Sequence, residues 1–217
     1  YFRDDPNCMP DFVASNSANE NGCIRFAGEN LFSAIKHFLE ERIKSTDKNA
    51  DLKELSEKQL KDLCEFSKKN NVELDYKTMK SKCRDEKIVC KTFHGAGIVV
   101  PIDENGVGYR PVPETPGDLK KMLKRIVESR TENERHLKFE PLQELITYVQ
   151  FANDECDYGE GLELGLDLFT YGGEVFHSTI LTLLPLAYQL LGRSQNAQVI
   201  ETHLKNRKHT SDLSQLL

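Results

Sequence analysis

The spacing of apolar residues changes several times along the chain. Near the N-terminus, Asp11 to Ser15 and Cys23 to Ala27 are short strand-like pieces, the second with Ile24 and Phe26 alternating. Asn and Gly residues between them form a hairpin-like connection. The period then lengthens. "ENLFSAIKHFLEERIKS" sets Leu31, Phe32, Ile35, Phe38, Leu39 and Ile43 three or four residues apart, with charge on the opposite side, which predicts an amphipathic helix. Residues 45–87 are densely charged. Leu52, Leu55, Leu60, Leu63, Cys64 and Phe66 still keep a helical spacing there, with room for one break. "DYKTMKSKCRDEKIV" predicts a further helix with a basic side, which is either a solvated face or a site for an acidic partner.

The periodicity stops in "KTFHGAGIVVPIDENGVGYRPVPETPGD". Gly95, Gly97, Gly106, Gly108 and the prolines predict a long irregular segment, with Ile98 to Val100 as its one short strand. Irregular segments of this length inside a compact domain often carry function. Helical spacing then resumes. Asp118 is the expected cap of "LKKMLKRIVESR". Leu142, Leu145, Ile146 and Val149 stripe a helix that runs to Asp154, and Leu162, Leu164, Leu166, Leu168 and Phe169 follow. "EVFHSTILTLLPLAYQLLGR" is apolar almost all round, so it is the expected core helix, with Pro185 as a kink point. "NAQVIETHLKNRK" closes the fold and the tail after it frays. The fold class is therefore mainly α with a small β component (α+β). A single domain is expected over residues 1–217, with short strands over about 1–28, helices over about 29–90, the irregular segment over about 91–117 and helices over about 118–210.

Composition narrows the function. The chain has 217 residues, 38% hydrophobic and 29% charged, which is an ordinary globular balance. A net charge of -6 argues against a dedicated, sequence-specific nucleic-acid binder while leaving a basic partner open. No apolar run approaches the roughly 18 residues of a membrane span, so no membrane role is expected. The chain opens at Tyr1 without a signal-like segment and reads as a fragment whose upstream region is absent. The cysteines are scattered, with no C-x-x-C and no zinc-type Cys/His spacing, so free thiols in a reducing compartment are expected.

Chemistry concentrates in "FANDECDYGEGLELG". Asp154, Glu155, Asp157 and Glu160 fall within a few residues, where a helix is expected to end. The macrodipole disfavours anions at such an end, and neighbouring carboxylates raise one another's pKa values. Phe151, Tyr158 and Leu162 anchor the stretch, so the charges sit on an ordered turn. Local rules broken without visible compensation often mark function. Several chemistries stay open. Calcium would fit carboxylates, but the EF-hand spacing is missing. A two-carboxylate hydrolase lacks an identifiable opposing group. Cys156 lies between Glu155 and Asp157, which disfavours a thiolate nucleophile. His94 beside Gly95 reads as a structural hydrogen bonder, and no nucleotide fingerprint or Walker motif is present.

The stretches "TYVQFANDECDYGEGLELGLDLF", "KTFHGAGIVVPIDENGVGYR" and "LLPLAYQLL" resemble the histone PARylation factor family, the accessory factors of the DNA-break-activated poly(ADP-ribose) polymerases. The resemblance covers essentially the whole chain and corresponds to the family's C-terminal region. It implies a non-enzymatic partner protein that docks beside the polymerase's NAD pocket and completes a composite active site for serine ADP-ribosylation. Glu155 matches the family's general base and Asp154 its histidine-contacting aspartate. Tyr109 and Arg110 match its docking pair, and Asp157 is a further partner-binding candidate. The resemblance also implies no cofactor of the chain's own (NAD is bound by the polymerase), no metal, histone tails as acceptor, a monomer, and a nuclear location at chromatin breaks. Pro111 after Arg110 and the extra acid Glu160 depart from the core motif. Glu160 is expected either to shift the pKa of Glu155 upward or to tune docking.

Overall fold

A computed structural model describes residues 1–16, 22–45 and 50–206. The hairpin connection through residues 17–21 and the fraying tail over 207–217 lie outside the described residues. The chain divides into two compact units, Tyr1–Ser15 with Arg25–Lys87, and Asn16–Ile24 with Ile88–Leu217.

The first unit contains the small sheet. Strands β1 (Val13–Ser15) and β2 (Arg25–Gly28) pair antiparallel, Val13 opposite Gly28 and Ala14 opposite Phe26, with an irregularity between Val13 and Ala14. Helices α1 (Leu31–Ser45), α2 (Ala50–Asn70) and α3 (Met79–Asp85) follow. The Asn30 side-chain oxygen accepts from the N–H groups of Phe32 and Ser33, both at 2.9 Å, and so caps α1. Phe2 stacks on Phe12, and the Arg84 guanidinium lies over both rings while pairing with Asp4 at 2.6 Å. The helix expected over "DYKTMKSKCRDEKIV" is shorter than its charge pattern implies, because Thr78 takes the Lys80 N–H and starts the helix only there. Two of its basic residues are used internally: Lys77 pairs with Asp85, and Lys80 donates to the Pro10 carbonyl. The leucine stripe of α2 does not build a core, since Leu52, Leu55 and Phe66 are exposed.

The second unit holds the main core. Its helices are α4 (Pro116–Val127), α5 (Glu132–Asp154), α6 (Tyr158–Tyr171), α7 (His177–Leu190) and α8 (Ser194–Asn206), with a short 3₁₀ turn at Glu174–Phe176. Leu123, Ile126, Leu142, Leu164, Leu168, Phe176, Ile180 and Leu184 are fully buried at the centre. Burying each such side chain contributes roughly 1.5–3 kcal/mol of transfer free energy. Helix α6 packs between α5 and α7. Gly165 allows close approach, because a Cβ there would stand 2.6 Å from Leu184 Cγ.

Three sequence expectations change here. Thr115, not Asp118, caps α4: its hydroxyl accepts the Asp118 N–H at 3.2 Å, and Pro116 opens the first turn. Asp118 instead accepts the Thr115 hydroxyl. Residues 98–100 form only a single bridge, Ile98 to Cys90, while Ile98 and Val100 are buried. Helix α7 buries Ile180, Leu183, Leu184 and Ala187 but leaves Leu181, Leu186 and Leu190 exposed, so it is not surrounded on all sides. Among the described residues, no helix is long and apolar enough to cross a membrane.

Candidate functional site

The acidic stretch is a turn between two helices. Asp154 is the last residue of α5, Glu155 is its C-cap, and Asp157 is the N-cap of α6. Cys156 bridges them at φ +67°, a left-handed conformation that reverses the chain in one residue. The Asp157 N–H reaches back to the Ala152 carbonyl at 2.8 Å and closes the turn. The charges therefore serve opposite dipoles. Asp154 and Glu155 sit at a negative helix end, whereas Asp157 and Glu160 sit at a positive one. Only half of the crowding runs against local preference.

The irregular segment is fastened to this turn. Its tip is organised by Asp103, whose carboxylate accepts the N–H groups of Asn105 and Val107 at 2.9 and 2.8 Å. Gly108 then donates its N–H to Asp157 Oδ1 at 2.9 Å and accepts the Gly159 N–H at 3.0 Å. Gly108 has φ +138°, and a Cβ there would lie 2.1 Å from the Pro101 carbonyl oxygen, so only glycine fits. Two residues on, Arg110 turns its guanidinium onto the acidic turn. Its Nη2 hydrogen-bonds Glu155 Oε2 and lies 3.0 Å from Asp157 Oδ2. The bond to Glu155 holds the Arg110 pKa above its usual value, with the other carboxylates adding to it.

The five residues singled out by sequence occupy different settings. Glu155 and Arg110 are solvent-accessible, with side chains 59% and 46% exposed. Asp154 is exposed at the end of α5. Asp157 is buried, and its carboxylate is committed to Gly108 and Arg110 within the chain. Tyr109 is half-buried and points inward, its hydroxyl donating to Glu163 Oε2 at 3.0 Å. Burial and Glu163 push the Tyr109 hydroxyl well above its usual pKa.

Two further acids, Glu163 and Asp167, are not evident in the sequence; with Glu160 they lie along one side of α6. Burial raises all three carboxyls. Glu160 is pushed up to about 7 against the pull of Arg110, with Glu163, Asp157 and Glu155 adding to the rise. Asp167 also reaches about 7, although its carboxylate accepts the Phe93 N–H at 2.7 Å. Glu163 is raised by burial and partly restored by the Val112 N–H, Tyr109 and Cys90. The Cys90 thiol beside it is pushed up to about 12, chiefly by burial. The signal was present as three acids at i, i+3 and i+7 in an otherwise apolar helix. Among the described residues, no group of His, Cys, Asp and Glu has a metal-holding arrangement.

A sequence model of histone PARylation factor 1 matches residues 1–207. The mouse protein named "Histone PARylation factor 1" is 50% identical over 210 residues, covering 95% of this chain and 60% of its own length. The bovine protein of that name is 49% identical over all of this chain and 62% of its own length. A human protein named "Putative histone PARylation factor 1-like" is 48% identical, over 95% of this chain and 59% of its own. The chain thus spans about three-fifths of these relatives. With a matched family model over nearly its whole length and half its residues shared with the named relatives, this chain belongs to the histone PARylation factor 1 family.

Proposed function

We propose that this chain is an accessory factor that docks on a DNA-break-activated poly(ADP-ribose) polymerase and lends it Glu155 as general base for serine ADP-ribosylation of histones. The observation that carries the reading is a carboxylate left open to solvent yet aimed by a guanidinium on a fastened turn. A serine hydroxyl is a weak nucleophile and needs a base within about 2.6–3.2 Å of its oxygen. Glu155 takes the hydroxyl proton, and Arg110 holds the carboxylate in place until the hydroxyl arrives. The fixed turn supplies the positioning that a floppy loop would not. Lending a side chain in trans follows the logic of an arginine finger.

The remaining assignments follow from this role. Asp154, exposed beside Glu155, meets a cationic group on the polymerase, and Arg110 contributes to docking. Tyr109 and Asp157 support docking from within, by shaping the loop that presents Arg110. The polymerase binds NAD, and this chain binds no cofactor or metal and turns over nothing alone. The anionic turn suits a Lys-rich histone tail. The protein acts as a monomer in the nucleus, on chromatin at DNA breaks.

The test is modification of a serine peptide by the polymerase with and without this chain. Wild type should support modification, and Glu155→Gln should bind the polymerase yet fail to support it. A Glu155→Gln variant as active as wild type would leave only a histone-binding module. Turnover of NAD or an ADP-ribosylated peptide by the chain alone would favour a stand-alone hydrolase.

A further inference from the structure

Glu160 suits the positive end of α6, but neither that dipole nor docking accounts for its burial. It lies in the first turn of α6, is 1% exposed, and its Oε2 has no hydrogen-bond partner among the described residues. A buried carboxylate left unpaired is costly when ionised and tolerable when protonated. The charged groups facing it are Arg110 from the loop, Glu155 and Asp157 from the turn, and Glu163 further along α6. Around the neighbouring Gly161 stand Val149 and Asn153 of α5 and Ala187 of α7. The Asn153 side-chain oxygen is likewise buried with no partner among the described residues.

Arg110 is the only cation of this group, and both of its ion pairs run through one nitrogen, Nη2. The rest of its planar fork remains free to turn toward a third carboxylate. We infer that Glu160 is a positioning residue for Glu155: while neutral it leaves Arg110 to Glu155 and Asp157, and once ionised it draws the guanidinium inward and releases Glu155 to solvent. Burial and the surrounding acids bring that ionisation close to neutrality. The released carboxylate is then free to meet an incoming hydroxyl. The consequence for activity rests on the proposed role of Glu155 as a base. The exchange of partners by Arg110 belongs to this chain alone.

Two arms test the inference separately. In the first, the carboxyl carbons and the Arg110 guanidinium of the isolated chain are followed by NMR from pH 5 to pH 9. The Glu160 signal should inflect near neutrality, and the Glu155 and Arg110 signals should inflect with it. Glu160→Gln and the apolar Glu160→Met should both abolish the shared inflection. Glu155 and Arg110 signals that ignore the titration of Glu160, or that keep the inflection in either variant, overturn the inference. In the second arm, serine-peptide modification with the polymerase is measured across pH 6 to 8.5. The rate ratio of wild type to Glu160→Gln should rise about threefold through neutrality, equivalent to half a pKa unit. A flat ratio overturns the positioning role. A Glu155→Gln variant that remains active sinks the general-base reading alone, because the first arm does not depend on it.

Discussion

Asp167 makes stability depend on pH in a direction opposite to that of most surface acids. It is 4% exposed, and burial pushes its carboxyl up to about 7 in the folded chain, against an ordinary 3.8. Between those values the folded protein keeps a proton that the unfolded chain has released. Folding is therefore favoured at low pH, and stability falls as pH rises from about 4 to 7. A gap of about three pH units at about 1.4 kcal/mol each sets an upper bound near 4 kcal/mol. Relaxation and water entry lower that bound, and a loss of about 2 kcal/mol is a fair expectation. Asp167→Asn removes the titration while keeping an oxygen for the Phe93 N–H. Its two amide hydrogens need new partners, so the variant starts somewhat less stable at pH 5. Urea unfolding of both proteins at pH 5, 6, 7 and 8 separates these effects. Wild type should lose stability up to about pH 7 and level off by pH 8, and the variant should lose about 1–2 kcal/mol less over the same range. Parallel curves would refute the assignment of a neutral, buried acid at this position.

Gly108→Ala forces a methyl group into the Pro101 carbonyl and breaks the bonds to Asp157 and Gly159. The cost should be about 2–4 kcal/mol, read as a fall of several degrees in Tm, and an unchanged Tm would count against the fastening role of this loop. Gly165→Ala should cost about 1–2 kcal/mol, because overpacking against Leu184 exceeds the gain in helix propensity. Adding Leu184→Ala should relieve the clash, so chemical denaturation should show the double variant to be more stable than the two single costs predict. Arg110→Ala should weaken polymerase binding at least tenfold in titration calorimetry, since it frees Glu155 and leaves the buried Asp157 without its cation. Unchanged affinity would remove Arg110 from the docking surface.

Much of the architecture was legible because helices announce themselves by period. The stripe Leu142, Leu145, Ile146 and Val149 is buried as its spacing requires. The start of α4 was misplaced because Thr115 and Asp118 are both good capping residues, and only geometry shows whose oxygen takes which N–H. The α2 stripe misled because amphipathicity indicates a face and not what covers it. At the site, the acidic run was conspicuous, but its division between two helix ends depended on a single left-handed residue, Cys156. The ion pair between Arg110 and Glu155 joins residues 45 apart and has no local signature. The burial of Glu160 and Asp167 in α6 had no local signature, since burial of a carboxylate depends on partners elsewhere in the chain.

The Gly108 clasp also limits how the acidic turn can be borrowed or altered. A synthetic decapeptide of residues 151–160 would carry every acid of the cluster and none of the alignment, because the clasp comes from 49 residues upstream and the guanidinium beside it from 45. Lengthening the Cys156 connection by one residue would carry Glu155 away from Arg110 by up to about 3.8 Å, the span of one peptide unit. The exposed tip over residues 104–106 reaches solvent and should tolerate added length better. Grafting this chemistry onto another scaffold means moving a loop and two helices together.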